Sequence, residues 1–408
     1  MNRRLSLLLP LTLLFLFVLF SPACRAMAGQ GALCLDSITS IDSVLVATAS
    51  GKPLLKKNES LKQVPASTLK LLTGLVALEH LGEDFRFPTR FFKDAGYNLI
   101  IKGLGDPLLI SEVWEEIAES LAERIVSVND LILDDGYFSP NIVIPGRKRS
   151  TNPYDAPVGA LCANFNTVFF DRDSRGRIVS AEPQTPIIPF SRKKIRSLNR
   201  KKGRYAFADN QTDAARYAGE LLAYFLRTKG VPVRGRVRMG GTNPADTAVF
   251  TYRSRFTMET VVRKMLAFSN NFIANQLFIG LGARIYGPPA TLEKGARVVS
   301  DYAGDKLNLR HIRVVEGSGI SRKNSLSAMD MLEVLKKFAP YRNLLPQKGG
   351  LYFKTGTLRG VSARAGYIHR PGGEPYCFVV FLRRGGQEID RILRCLGDTF
   401  GLPANGTR

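Results

Sequence analysis

The chain has 408 residues, with 58 Lys and Arg against 35 Asp and Glu, a formal charge of +23 and 45% hydrophobic residues. That apolar content excludes disorder for the bulk of the chain, and the length allows two or three domains of about 100–200 residues each. Three histidines, His80, His311 and His369, share no helical spacing, which argues against a His-rich metal site and a Ser-His-Asp hydrolase; no metal or cofactor is expected.

Arg3 and Arg4 precede an apolar run over residues 5–20, and Ala26-Met27-Ala28 supplies the small residues that signal peptidase reads. This is the layout of a secretory signal over residues 1–28, cut after Ala28. The run falls short of the roughly 20 residues that span a bilayer, which weighs against a retained anchor. Cys24 raises a lipoprotein reading, but Ser21-Pro22-Ala23 lacks the usual leucine three positions before the cysteine. Export to the periplasm or cell envelope is therefore expected. The basic excess first suggests nucleic acid, and export removes that partner. Export also permits disulfides among Cys34, Cys162, Cys377 and Cys395. Cys377 with Cys395 is the favoured pair, and buried free thiols are the alternative.

A helix is expected over residues 67–80, with Leu71, Leu72, Leu75, Val76 and Leu78 on its apolar side and Gly82 at its end. Residues 98–101 read as a strand before a Gly-Leu-Gly-Asp-Pro turn. Ser111 then caps a helix whose Val113, Trp114, Ile117, Leu121 and Ile125 recur at helical spacing. Residues 131–135 read as a strand and turn, and 140–155 as a loop. Thr212 is expected to cap a helix over 212–229. Further helices are expected over 258–268, 271–281 and 328–338. Strands follow at 352–358, 361–369 and 376–383, then a helix near 388–400, an α+β arrangement with helices on a sheet.

Three short motifs carry chemistry, each weak alone. Ser67-Thr68-Leu69-Lys70 begins a helix and puts a hydroxyl and an amine one turn apart on the same face. The lysine can act as base only when neutral, and burial with a second cation nearby lowers its pKa. Ser269-Asn270-Asn271 separates two apolar helical segments, offering a proton-relaying hydroxyl and an amide for a substrate carbonyl. Lys354-Thr355-Gly356-Thr357 lies in a strand, where the lysine and hydroxyls suit a carboxylate and the glycine admits close backbone. In the order S-x-x-K, S-x-N, K-T-G they form the signature of serine penicillin-interacting enzymes.

Beyond the motifs, the sequence resembles the D-alanyl-D-alanine carboxypeptidase/endopeptidase family, the class C low-molecular-mass penicillin-binding proteins. The likeness runs through Val64–Lys70, Asn98–Pro107, Leu131–Phe138, Tyr154–Leu161, Ala214–Leu222, Glu316–Arg322 and Lys354–Tyr367. It implies a serine β-lactamase/transpeptidase-like α/β (α+β) domain from residues 29–88 and 251–408, with a smaller, β-rich accessory region inserted at 89–250. It implies Ser67 as nucleophile, Lys70 as general base and Ser269 as proton relay. Asn271 would orient the substrate amide. Lys354, Thr355, Gly356 and Thr357 would bind the terminal carboxylate, with an oxyanion hole at the Ser67 and Thr357 N–H groups. The implied activity is hydrolysis of D-Ala-D-Ala, and of D-Ala–diaminopimelate cross-links, in peptidoglycan stem peptides, with β-lactams as covalent inhibitors. Glu316 stands where relatives commonly have Asp, and the insertion is short.

Two other readings compete: a β-lactamase or esterase of the same superfamily, and a non-catalytic cell-wall binding protein. No Glu-x-x-Leu-Asn deacylation element follows the serine motif, which counts against the first. Residues 192–204 carry eight Lys or Arg and no acid. Such a run is either a solvated loop or an anchor to an anionic wall or membrane surface.

Overall fold

The structure is a computed structural model that describes residues 34–198, 200–206 and 210–401. The expected signal segment, with Cys24, lies outside the described residues. The chain opens with a hairpin of β1 (Ser43–Ala47) and β2 (Pro53–Lys57), then a 3-10 turn, Ala66–Leu69, that leads into α1 (Lys70–Leu81). The helix expected over 67–80 thus begins as a tighter turn, because Ala66 takes a left-handed φ of 47°.

The next stretch builds two sheets. β3 (Pro88–Lys93), β4 (Leu99–Lys102), α2 (Ser111–Ala122) and β5 (Leu131–Asp134) come first. β6 (Thr167–Arg172), β7 (Ile178–Ser180), α3 (Pro189–Ser197), β8 (Gly203–Ala206) and α4 (Gln211–Thr228) follow, then β9 (Val237–Met239) and β10 (Thr247–Arg253). The five-stranded sheet has the order β10-β3-β4-β5-β9, its first three strands antiparallel and its last three parallel, and the three-stranded sheet is β7-β6-β8. α2 and α4 pack on each other, burying Trp114, Ile117, Leu121, Tyr217, Leu221 and Leu222. Two caps differ from expectation. Asn210, not Thr212, caps α4 by accepting the Asp213 N–H at 2.8 Å. Ser111 lies inside α2, its hydroxyl turned to Asn164 and Thr185.

The chain then returns through α5 (Met258–Ala267), α6 (Asn271–Tyr286), α7 (Leu292–Leu307) and α8 (Ala328–Phe338) to β11 (Gln347–Lys348), β12 (Leu351–Leu358), β13 (Val361–Ile368), β14 (Tyr376–Leu382) and α9 (Gln387–Phe400). These last strands join β1 and β2 in one antiparallel sheet, ordered β11-β12-β13-β14-β1-β2. Successive strand residues face opposite sides. Val44, Val46, Phe378, Val380 and Leu382 therefore meet Ile389, Ile392, Leu393, Leu396 and Phe400 of α9. Leu45, Ala47, Cys377, Val379 and Phe381 meet the other helices. Both faces are covered, which is why β14 reads as an unbroken apolar run. Among the described residues no helix is long and apolar enough to cross a membrane.

The same alternation overturns the favoured disulfide. Cys34 is bonded to Cys395, while Cys162 and Cys377 are free and buried. Cys377 points to the helix-covered face of β14 and Cys395 sits on α9 across the sheet, so nearness in sequence does not bring them together. The bridge closes a loop of 361 residues. Replacing Cys395 by Ser should destabilise the protein by about 2–5 kcal/mol. Denaturant unfolding should show the same loss in the reduced natural protein and no further effect of reductant on the variant.

Candidate active site

The 3-10 turn lifts Ser67 to the head of α1 and leaves it half-buried, while Lys70, one turn on, is 0% exposed. The Lys70 Nζ lies 3.0 Å from Ser67 Oγ, 2.8 Å from Asn271 Oδ1 and 2.8 Å from the Ser318 carbonyl. Three oxygens thus surround one amine on a fully buried side chain. Burial first, and then the positive field of Lys354, push the Lys70 pKa well below the ordinary lysine value, against an opposing pull from the Glu316 carboxylate.

The second cluster sits on β12. Lys354 is 1% exposed, and its Nζ donates to Ser269 Oγ at 2.9 Å and to the Thr355 carbonyl at 2.8 Å, with the Thr355 hydroxyl at 3.4 Å. Burial, and then the neighbouring Arg364, bring its pKa down to about 8. Ser269 takes a left-handed φ of 50° in the turn between α5 and α6, and Asn270 caps α6 by accepting the Ile273 N–H. That cap starts the helix at Asn271 and turns its amide toward Lys70. Thr355 and Thr357 lie on the exposed side of β12, and Lys354 and Gly356 on its buried side. Gly356 is pressed against the serine turn: a Cβ there would lie 2.9 Å from the Ser67 N. The three motifs therefore converge, Ser67, Lys70 and Asn271 about one amine and Ser269, Thr355 and Lys354 about the other.

Residues beyond the motifs hold this arrangement. Glu316 is buried, and its carboxylate accepts from the N–H groups of Ser318, Gly319 and Ser321, from Ser318 Oγ and from Asn324 Nδ2. Thr73 Oγ1 donates to the Gly317 carbonyl, and Asn275 Oδ1 accepts the Gly317 N–H. The loop so clamped delivers the Ser318 carbonyl to Lys70. Gly319, at φ 82°, passes so close to the serine turn that a Cβ would lie 1.8 Å from the Ala66 carbonyl oxygen. In the sequence Glu316 stands out only as a departure from the common Asp; an acid followed by Gly-Ser-Gly is the available signal for converging N–H groups. Arg364 and the Ser318 carbonyl had none.

Residues 37–203 and 197–346 match the D-Ala-D-Ala carboxypeptidase 3 (S13) family, and residues 305–399 match the Beta-lactamase enzyme family. D-alanyl-D-alanine carboxypeptidase DacB of Haemophilus influenzae is 26% identical over 392 residues, covering 80% of this chain and 81% of that protein. A D-alanyl-D-alanine carboxypeptidase of an Actinomadura strain is 25% identical over 420 residues, covering 81% and 75%. The crystal structure of penicillin binding protein 4 (dacB) of Haemophilus influenzae superposes with a TM-score of 0.74 at 20% identity, covering 91% of this chain and 99% of that one. A structure of the same protein complexed with a β-lactam superposes at 0.69. The shared fold is the β-lactamase-like one expected.

Glu316→Ala should cost about 3–5 kcal/mol, because it leaves five buried donors without their acceptor. Glu316→Asp should fold but acylate more slowly, since its shorter stem pulls the loop and the Ser318 carbonyl off Lys70. Chemical denaturation and a penicillin-labelling time course measure the two effects.

Proposed function

The chain belongs to the D-Ala-D-Ala carboxypeptidase 3 family and is a serine DD-peptidase, and we propose that Ser67 and Lys70 perform its chemistry. The observation that carries this assignment is the 3.0 Å contact between Ser67 Oγ and an amine whose pKa burial and Lys354 push well below the ordinary lysine value. Neutral Lys70 takes the Ser67 hydroxyl proton as Oγ attacks the carbonyl of the penultimate D-Ala. The oxyanion is held by the N–H groups of Ser67 and Thr357, donors of a kind that each contribute about 3–4 kcal/mol. Ser269, polarised by Lys354, passes the proton to the departing D-Ala amine. Water then hydrolyses the acyl-enzyme.

Asn271 has one amide oxygen on Lys70, leaving its Nδ2 for the substrate amide carbonyl. The terminal carboxylate would sit between the Lys354 amine and the Thr355 and Thr357 hydroxyls, where Gly356 keeps the strand close to the serine turn. A β-lactam would acylate Ser67 by the same steps. Cross-links to diaminopimelate would be cut by the same attack, a side-chain amine replacing free D-Ala as leaving group. Residues 1–28 would direct export to the periplasm, where this substrate lies.

The basic run remains a proposed anchor to anionic wall or membrane material. Lys194 pairs with Asp213 and Arg204 with Glu182, while Lys193, Arg196, Arg200, Lys201 and Lys202 stay exposed. These five charges support the anchor.

Fluorescent penicillin should label the natural enzyme and not Ser67→Ala, and the variant should release no D-Ala from a peptide ending in D-Ala-D-Ala. Equal activity of the variant would remove Ser67 from the mechanism. The labelling rate should climb with pH as Lys70 loses its proton, then fall above pH about 8 as Lys354 loses the charge that draws the carboxylate. Lys354→Arg should move the alkaline fall upward, because a guanidinium keeps its proton there.

A further inference from the structure

A second basic feature lies apart from the 192–204 run and shares only α6, at its far end from Asn271, with the active site. β3 and β10 pair antiparallel at one edge of the five-stranded sheet, with Arg90 opposite Thr251 and Pro88 opposite Arg253. Alternation buries Thr89, Phe91 and Tyr252 and turns Pro88, Arg90, Phe92, Thr251 and Arg253 outward. Phe85 and Arg86, just before β3, and Arg284, in the last turn of α6, complete a half-open groove of about 550 Å³ over this face.

Four of its lining residues are arginines and none is acidic. Among the described residues, none of Arg86, Arg90, Arg253 and Arg284 forms an ion pair, although 18 other contacts between charged groups are present. Two of the four are fixed in place. Arg86 donates to the Ser254 and Arg255 carbonyls, and the Arg284 guanidinium lies 4.8 Å above the Phe85 ring. Gathering four like charges opposes folding unless an anion answers them. At a rise of about 3.3 Å per residue, Arg90 and Arg253, on adjacent strands and two residues out of register, are offset by roughly 7 Å along the strands, with Arg86 and Arg284 beyond them on other segments. That spread suits several anionic groups on one chain rather than a single small ion. The concave shape suits an inserted segment rather than a flat bilayer, and Phe85, Pro88 and Phe92 offer apolar floor to the carbon skeleton between the charges.

We propose that this groove is an exosite for the carboxylate-bearing stem peptide of a peptidoglycan strand, holding the polymer while the active site works on another of its peptides. The proposal rests on the peptidoglycan reading of the active site. Guanidinium groups fit carboxylates two hydrogen bonds at a time, so register as well as charge is recognised.

The test compares the natural enzyme with Arg90→Glu/Arg253→Glu and with Arg90→Lys/Arg253→Lys. Retention on purified sacculi at low salt should fall about tenfold for the Glu pair and partly for the Lys pair, with the difference vanishing at about 1 M salt. D-Ala release from a short soluble peptide should be unchanged in both. Unchanged retention on sacculi would overturn the proposal. So would a loss confined to vesicles of anionic phospholipid, which would make the groove a membrane contact, or an equal loss on the short peptide. Should the Glu pair fail to fold, Arg90→Gln replaces it with the same readouts. A natural enzyme that binds sacculi through these arginines but releases no D-Ala from the short peptide would refute the peptidase reading and leave a wall-binding groove.

Discussion

Two lysines buried side by side are the constraint on which the rest of the structure depends. An ammonium group removed from water is costly, and a second one nearby makes both costlier. At Lys70 three oxygens accept from the amine, whose pKa burial and Lys354 lower, and at Lys354 a hydroxyl and a carbonyl accept. Burial and neighbouring positive charge thus lower the pKa of both amines, that of Lys354 to about 8. Glu316 lies near enough for its charge to oppose the shift, yet its oxygens are taken up by its own loop rather than by Lys70. A carboxylate in direct contact would keep the base protonated.

Such a site needs several backbone segments packed more tightly than side chains usually allow. The serine turn, the Glu316 loop and β12 meet where Gly319 and Gly356 have no Cβ to hold them apart. The sheet supplies the rigidity. β12 is flanked by β11 and β13, and the apolar residues of β13 and β14 are packed from both sides by α8 and α9. Lys354 is held by a strand and Lys70 by a helix, so neither depends on a mobile loop for its position.

Much of this was legible in the sequence where a residue type carries the chemistry. Ser67, Lys70, Ser269, Asn271 and Lys354 fall in three short motifs, and the strands β12 to β14 and the helices α8 and α9 are readable from their apolar residues. The legibility ends where geometry depends on a partner distant in sequence. The Ser318 carbonyl is a backbone atom and has no signature. Arg364 is one polar position in an apolar strand, and its effect on Lys354 follows from register with Thr355. The Cys34–Cys395 bond follows from which side of the sheet each thiol occupies. α7 was not read at all, since Gly295 and Gly304 interrupt a segment whose buried Val298, Val299, Tyr302 and Leu307 are spaced among charges.

The strand order of the six-stranded sheet has a consequence for how the chain matures. β1, nearly the first element made, lies between β2 and β14, nearly the last, with Ser43 opposite Phe381 and Ala47 opposite Cys377. A chain delivered from its N-terminus can pair β1 with β2 at once but leaves the other edge of the apolar Val44–Ala47 segment open while more than 300 residues follow it. The region from β3 to β10 is contiguous and its two sheets need nothing from the C-terminal third, so it can collapse first. Ser67, carried just behind β1 and β2, lacks its full surroundings until β12 arrives. The contact between Lys354 and Ser269, and the packing of Gly356 on the serine turn, therefore form only when the last strands are in place.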